Sequence, residues 1–241
     1  MTGHIPRGME LRRAIESGMD QINHITSILE DIRTGEPDAS KKKAASFDDV
    51  LREIDPGSER AGKFIGFLKE HGTVIDPTIA LYELMRHPPG CVPEPGLAKV
   101  APELAGPLKS MGAPPGRERD SDAFFGKLVE VVGALHKAGV PIVAGTDQAV
   151  PGHSLHRELE LYVKAGMTPM EAIRSATIVP ARAMKLDREA GTIEAGKRAD
   201  LILVAGRPDR EISDIRKVKT VIAAGRAYDC AELWKSAGFR P

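Results

Sequence analysis

Cysteine is scarce in this chain, which has only two in 241 residues, Cys91 and Cys230. They lie far apart and without Cys-x-x-Cys spacing, which argues against a thiolate zinc site and against a disulfide-stapled scaffold. Net charge is also missing, because 34 basic side chains balance 34 acidic ones. Without a basic excess, a chain has no broad surface suited to nucleic acid or to an anionic membrane. We therefore expect neither partner.

Long apolar runs are absent as well. No stretch approaches the roughly 20 apolar residues that a membrane span needs, and the first residues lack the basic-then-apolar pattern of a secretion signal. We expect a soluble protein, with the cytoplasm favoured as its compartment. The 41% hydrophobic content fits a chain that buries a sizeable core in one large domain or two small ones.

A repeated strand-then-helix pattern is what the chain does contain. "MTGHIP" predicts a short strand, residues 9–17 a helix, and "MDQINHI" a second strand. Further on, residues 59–70 predict a helix, "GTVIDPTIA" a strand, and residues 122–138 an amphipathic helix that leads into the strand "GVPIVAGTDQ". Strands that alternate with helices are typical of an α/β fold with a parallel sheet, either a barrel or a doubly wound sheet.

The C-terminal residues follow a different pattern. Glycine-rich turns and alternating strands in "GTIEAGKRADLILVAG" and "VKTVIAAGRAYD" predict a small β module beside the α/β part. We place the boundary near residue 190, with a partial barrel domain over 1–190 and the strands of the β module over 191–241.

Three side chains of metal-ligand type follow predicted strands: His4, His24 and Asp147. In an α/β barrel the loops after the strands build the active site, so all three would face one point. Zinc and related divalent ions bind imidazole nitrogens and carboxylate oxygens, and a catalytic site leaves one position open for water. One such histidine alone is more often structural, but the three together predict a metal site. Asp147 is also suited to take the proton of an attacking water.

Four further residues are candidate substrate contacts. His153 and His156 lie on or beside the loop after the strand "GVPIVAGTDQ", where substrate contacts concentrate, although His156 could equally decorate the next helix. Arg7 could pair with a substrate carboxylate through its guanidinium, with simple surface exposure as the alternative. Tyr82, together with Thr78, follows the strand "GTVIDPTIA" and is placed in the pocket by position alone.

Longer stretches resemble a known family. "AGTD", "AGMTPMEAIRSATIVPAR" and "GTIEAGKRADLI" are similar to the C-terminal half of the amidohydrolase superfamily, within its imidazolonepropionase-like and prolidase-like branch. The resemblance implies strands five to eight of a (β/α)8 TIM barrel, followed by part of a small β-sandwich module. It also implies that His4, His24 and Asp147 match the ligands on strands five, six and eight. The implied activity is hydrolysis of a C–N bond in a cyclic amide, a dipeptide or a related small molecule, with a divalent metal, zinc first, as the cofactor.

The chain departs from the family pattern in two of its ligands. It contains no His-x-His pair, and the lysines at 41–43 come too late to replace the carboxylated lysine of strand four. We therefore expect an incomplete metal site, and a half-barrel that needs a missing N-terminal half or a second copy of itself to cover its strand edges. The alternative function is a truncated, non-catalytic half-barrel that acts only in association with a partner chain. A deaminase-like member with one metal ion or none is a third possibility.

Overall fold

Three short parallel strands form the first sheet of the computed structural model, which describes residues 1–6, 8–34, 52–88, 94–110, 112–113, 115–116, 118–147 and 150–240. The strands are β1 (Thr2–Gly3), β2 (Gln21–Asn23) and β3 (Val74–Asp76), paired in the order β1-β2-β3. A parallel bridge between Ile75 and Ile142 places a fourth segment beside β3. The carboxyl ends of all four segments therefore lie at one edge of the sheet.

Helices follow the strands, as the sequence pattern predicts. In the described residues they are α1 (Leu11–Glu16), α2 (Leu29–Thr34), α3 (Glu59–Glu70), α4 (Ile79–Arg86), α5 (Pro102–Lys109), α6 (Glu118–Ala138), α7 (His153–Lys164), α8 (Pro169–Ser175), α9 (Ile178–Ala183) and α10 (Cys230–Ser236). Three short 3-10 helices cover Ile25–Ile28, Pro95–Lys99 and Ile212–Arg216.

Local sequence explains where α3 begins and ends. The Ser58 hydroxyl accepts a hydrogen bond from the Ala61 N–H at 3.2 Å, which satisfies one free donor at the helix start. The apolar side chains Ala61, Phe64, Ile65 and Leu68 recur at helical spacing and are all buried. Gly72 adopts φ 62° just after the helix, a conformation that glycine adopts without steric strain. The helix predicted over residues 59–70 is confirmed.

The main hydrophobic core lies between the parallel sheet and these helices. Ile22 of β2 and Ile75 of β3 are both 0% exposed, as are Phe64 of α3 and Leu128 of α6. Tyr162 of α7 is also fully buried, and its hydroxyl donates to the Val143 carbonyl at 2.9 Å. The helices thus cover the strands with a dry layer and leave the strand ends free for polar side chains.

A second sheet of three antiparallel strands lies near the C-terminus. It consists of β4 (Leu201–Val204), β5 (Val218–Ala223) and β6 (Arg226–Asp229). No residue of these three strands is buried, and Ile202 and Leu203 are 48% and 55% exposed. The β-type pairing predicted for the C-terminal residues is present, whereas the boundary at residue 190 stays a prediction.

The proline-rich segment after α4 pairs with the C-terminal end of the chain. Val100 forms an antiparallel bridge with Phe239, and the Ala101 N–H donates to the Gly238 carbonyl at 2.8 Å. Val100 and Phe239 belong to a small second core with Leu84, Ala105 and Val150.

The segment before Asp147 differs from the extended strand that "GVPIVAGTDQ" predicts. Only Ile142 bridges to β3, where the Val143 N–H donates to the Ile75 carbonyl at 3.0 Å. The Ala144 N–H instead donates to the Ser175 carbonyl at the end of α8. The chain therefore leaves the sheet three residues before Asp147, because its next donor bonds to a helix end.

Among the helices of the described residues, none has the length and apolar character required to cross a bilayer.

Candidate active site

Three non-glycine residues with positive φ lie at the carboxyl edge of the parallel sheet. They are His24 after β2 (φ 64°), Thr78 after β3 (φ 49°) and Asp147 after the bridged segment (φ 47°). Such conformations cost about 1–3 kcal/mol each and persist only where the surrounding structure enforces them. Strain of this kind clusters at functional sites, so these strand ends are the candidate active site.

Two of the predicted ligands face each other directly. The Nε2 atom of His24 lies 3.9 Å from Oδ2 of Asp147, and the His24 side chain is 17% exposed while that of Asp147 is 57% exposed. The ring of His4 stacks on that of His24, with centroids 4.7 Å apart and planes 14° apart. The structure therefore brings His4, His24 and Asp147 together in space, as their positions after strands predict.

The second ring nitrogen of His24 is held by a hydroxyl. Nδ1 lies 2.7 Å from Oγ1 of Thr78. Partial burial lowers the pKa of His24, the Asp147 carboxylate acts against that shift, and His4 adds to it. His24 is therefore biased towards the neutral imidazole, which is the form that binds metal ions.

A partly buried carboxylate, that of Asp76, lies between β3 and the loop that carries Asp147. Burial raises the pKa of Asp76 to about 6, while hydrogen bonds from the N–H groups of Gly145 and Thr78 act against that shift. A Cβ atom at position 145 would lie 2.1 Å from Oδ1 of Asp76. A side chain at this position would force the Asp76 carboxylate to move, which gives the "AGTD" stretch a physical reason for its glycine.

The donor chemistry of this edge fits part of a metal site. Two ligands bonded to one zinc ion at about 2.0–2.2 Å each can lie at most slightly over 4 Å apart, and the 3.9 Å between His24 Nε2 and Asp147 Oδ2 satisfies that limit. Within the described parts of the chain, however, no three histidine, cysteine, aspartate or glutamate side chains form a group that could hold an ion. The residues therefore fit some positions of a coordination shell and do not complete one.

Tyr82 lies close to this edge. Its hydroxyl is 2.7 Å from Oγ1 of Thr26. Burial raises the pKa of Tyr82, the hydrogen bond to Thr26 acts against the shift, and the charge of Asp147 adds to it. The tyrosine thus stays a neutral hydroxyl near Asp147, which is compatible with the substrate contact predicted for it.

The two histidines of α7 lie in different surroundings from His24. The His153 ring stacks on Trp234 with centroids 4.4 Å apart, and its Nδ1 lies 3.7 Å from Oε1 of Glu94. Burial lowers the pKa of His156 to about 4, and the positive charge of Arg216 adds to the shift. Both side chains pack where α7 meets the C-terminal residues, so their substrate role stays a prediction. Arg7, the remaining predicted contact, lies outside the described residues.

Sequence reasoning missed two acids beside the site, the partly buried Asp76 and the buried Glu158. Glu158 of α7 is 0% exposed, and its two carboxyl oxygens accept the N–H groups of Ile79 and Ala80 at 2.9 and 2.6 Å. Asp76 carried a signal, since it ends a strand in front of a proline. Glu158 carried none, because an acid inside an amphipathic helix resembles a solvated one.

The model of the amidohydrolase family matches residues 61–228, well over half of the chain. The chain belongs to the amidohydrolase family. Members of this family are generally metal-dependent, and the resemblance in "AGTD" and the C-terminal stretches is thereby confirmed.

Among curated relatives, the amidohydrolase chain is 28% identical over 168 residues to a 5-methylthioadenosine/S-adenosylhomocysteine deaminase of Caldanaerobacter subterraneus subsp. tengcongensis, a match that covers 65% of this chain and 36% of the deaminase. It is 34% identical over 101 residues to an imidazolonepropionase of Shouchella clausii, covering 39% of this chain and 22% of that enzyme.

Among solved structures, the chain is similar to an Xaa-Pro dipeptidase with methionine bound in its active site. The TM-score is 0.58 at 26% identity, and the match covers 90% of this chain and 42% of the dipeptidase. The chain thus spans less than half the length of each of these three relatives. The prolidase-like and imidazolonepropionase-like branch that the sequence predicts is confirmed, and so is an α/β fold related to the TIM barrel.

Proposed function

We propose that this chain carries part of the active site of a metal-dependent hydrolase that cleaves a C–N bond of a small molecule. The observation that carries the proposal is the approach of His24 to Asp147 at the carboxyl edge of the parallel sheet. The family match supports the reaction class, since the similar deaminase, imidazolonepropionase and dipeptidase are named for reactions at such bonds. In this proposal β1, β2, β3 and the segment at Ile142 are strands five to eight of a (β/α)8 barrel.

His4, His24 and Asp147 would hold the divalent ion, with zinc as the first candidate because imidazole and carboxylate donors suit it. When bound, such an ion activates a water molecule and polarises the bond to be cleaved. Asp147 is half exposed and reaches solvent, so its carboxylate can accept the proton of the attacking water at Oδ2. The same carboxyl group can then return that proton to the leaving nitrogen.

The experiment that tests this proposal replaces Asp147 with asparagine, which keeps the shape and removes the base. Hydrolysis of three probes is measured with zinc present: an Xaa-Pro dipeptide, imidazolonepropionate and 5-methylthioadenosine. We expect activity on one of them to fall by about 10²–10⁴-fold in Asp147→Asn, the contribution typical of a positioned general base. Calorimetric titration with zinc should show weaker binding by the same variant.

Asp209→Asn is the matched control, because Asp209 is a surface acid whose ion-pair partner is Arg207. It should leave both readouts unchanged. The proposal fails if Asp147→Asn hydrolyses the probes as fast as the original chain, or if that hydrolysis continues undiminished with a chelator present.

A second candidate function, association with another chain, is favoured by the apolar side chains that the C-terminal residues expose. Ile193 is 86% exposed, Leu203 55% and Ile202 48%. Large apolar side chains left in water are candidates for burial against a partner chain. The barrel domain over 1–190 and the β module over 191–241 would then act as parts of a larger assembly, completed by an N-terminal half or by a second copy.

Replacement of Leu203 by threonine tests the association. Threonine keeps β propensity and removes the apolar contact. We expect light scattering to show an oligomer for the original chain and a smaller mean mass for Leu203→Thr, with little change in unfolding free energy, as is usual for surface sites. A monomer at all concentrations in the original chain would contradict self-association.

A further inference from the structure

Two consecutive peptide N–H groups after Thr78 are bound by one buried acid. The N–H groups of Ile79 and Ala80 donate to Oε1 and Oε2 of Glu158 at 2.9 and 2.6 Å. These are among the first donors of α4, which have no partner within the helix. Because buried donors need acceptors, the carboxyl group of Glu158 fixes the backbone at this point. We call this carboxyl group the acid clamp.

The acid clamp lies next to a strained residue. Thr78 is 3% exposed and adopts φ 49° and ψ 38°. For a β-branched residue this left-handed conformation is a true outlier. It persists because the N–H groups of the next two residues, Ile79 and Ala80, both bond to Glu158 in this geometry, and such over-determined strain is typical of a functional position.

The hydroxyl of Thr78 lies between a carbonyl oxygen and a ring nitrogen of His24. Oγ1 donates to the Pro77 carbonyl oxygen at 2.8 Å and lies 2.7 Å from Nδ1 of His24. A hydroxyl has one proton, and a carbonyl oxygen only accepts. With that proton on Pro77, Oγ1 is left to accept from Nδ1–H of His24. The lone pair of the neutral imidazole is then on Nε2, the nitrogen that faces Asp147.

We propose that Thr78 is a positioning residue that locks His24 in its Nδ1–H tautomer, and that Glu158 holds Thr78 in place. The lock presents a bare Nε2 towards Asp147 before any ligand binds. Its value for metal binding rests on the proposed function, because ligand histidines generally donate their other ring N–H to a fixed partner. The tautomer itself does not depend on that function.

The test compares Thr78→Val with Thr78→Ser in protein labelled with ¹⁵N at its histidines. Valine keeps the branched shape and loses the hydroxyl, whereas serine keeps the hydroxyl. Long-range ¹H–¹⁵N spectra at about pH 8, where imidazoles are neutral, report which nitrogen is protonated. The His24 signals are assigned by their loss in His24→Gln. We expect the Nδ1–H pattern in the original chain and in Thr78→Ser, and a mixture of tautomers in Thr78→Val.

A second variant tests the acid clamp without touching the hydroxyl. The Glu158→Gln amide can accept from only one of the two N–H groups, so Thr78 should loosen and the Nδ1–H fraction of His24 should fall. The proposal is overturned if Thr78→Val keeps the full Nδ1–H pattern. If the valine variant does not fold, the same result in Glu158→Gln overturns it.

Zinc titration separates this proposal from the proposed function. If both hold, Thr78→Val should bind zinc about 10–100-fold more weakly, the usual loss when an outer partner of a ligand histidine is removed, while Thr78→Ser binds as the original chain does. If the original chain shows the Nδ1–H tautomer but binds no zinc, the lock stands and the proposed function fails.

Discussion

The parallel sheet lies under helices that exclude solvent, whereas the antiparallel sheet leaves large apolar side chains in water. Ile22 of β2 and Ile75 of β3 are 0% exposed, while Ile202 and Leu203 of β4 are about half exposed. The first region is therefore stabilised by hydrophobic burial. The second gains little from burial within the described residues, so its attachment to the first depends on a few specific contacts.

One arginine supplies much of that attachment. Arg216 is the last residue of the Ile212–Arg216 helical turn. It pairs with Glu94 and Glu160, and one of its nitrogens lies 2.8 Å from Glu94 Oε1. The Glu94 side chain is 2% exposed. Beside it, Ile212 and Ile215 belong to the main core. The C-terminal residues are thus joined to the rest of the chain by two apolar side chains, an ion network and the contacts of Trp234 with His153 and of Phe239 with Val100. Their own sheet stays uncovered.

The largest expected difference between the regions comes from truncating one aromatic residue in each. Phe64→Ala removes a 0% exposed ring from the main core and should lower the free energy of unfolding by about 3–5 kcal/mol. Tyr228→Ala acts on a 37% exposed ring of β6 and should cost under about 1 kcal/mol. Urea unfolding followed by circular dichroism measures both. Equal losses would remove the distinction between a buried and an uncovered sheet.

A smaller effect is expected where the two regions meet. Arg216→Met leaves the buried Glu94 without its cation and should cost about 2–3 kcal/mol, below the 3–5 kcal/mol typical of fully buried pairs because Arg216 is 19% exposed. The double variant Arg216→Met with Glu94→Gln should regain part of that loss, since no uncompensated charge remains. A double variant as unstable as the sum of its single variants would show that the pair itself does not join the regions.

The sequence predicted those helix and strand ends that are set by residues close together in the chain. The capping pattern at Thr168 and Glu171 predicts a helix start, and the structure contains both reciprocal hydrogen bonds. The strand ends also predicted which metal-ligand side chains lie close together, because parallel strands align their carboxyl ends at one edge. His24 and Asp147 are 123 residues apart in the sequence, and Nε2 of His24 lies 3.9 Å from Oδ2 of Asp147.

Long-range contacts away from the strand ends were not predictable from these signals. The ring of His153 stacks on Trp234, a residue of the C-terminal helix α10, and no pattern near either residue indicates the other. The left-handed Thr78 was equally hidden, since β-branched residues avoid that conformation. Its cause is Glu158, which reaches the start of α4 from a different helix. Strain at the site thus depends on tertiary packing that local propensity does not encode.

The pH dependence of stability should also distinguish the two regions. Burial raises the pKa of Glu158 from 4.5 to about 8, against the hydrogen bonds from Ala80 and Ile79. Because burial favours the protonated carboxyl group, Glu158 contributes its full stability below its unfolded pKa of 4.5. That contribution is lost as the pH rises through the folded pKa of about 8. In the antiparallel region, Asp200 has a lowered pKa, mainly through a hydrogen bond from the Ala224 N–H, so its contribution is lost only as the pH falls through the acid range.

Unfolding free energies at about pH 5 and about pH 8 measure this difference between the two regions. Each unit by which a pKa differs between the folded and unfolded states corresponds to about 1.4 kcal/mol. The advantage of the original chain over Glu158→Gln should shrink by several such units as the pH rises, because the carboxyl group ionises at about pH 4.5 in the unfolded chain and stays protonated up to about pH 8 in the folded one. Asp200→Asn should differ from the original chain by the same amount at both values. If the Glu158 difference were also constant, the carboxyl group would already be ionised in the folded state, and the two hydrogen bonds from α4 would outweigh its burial.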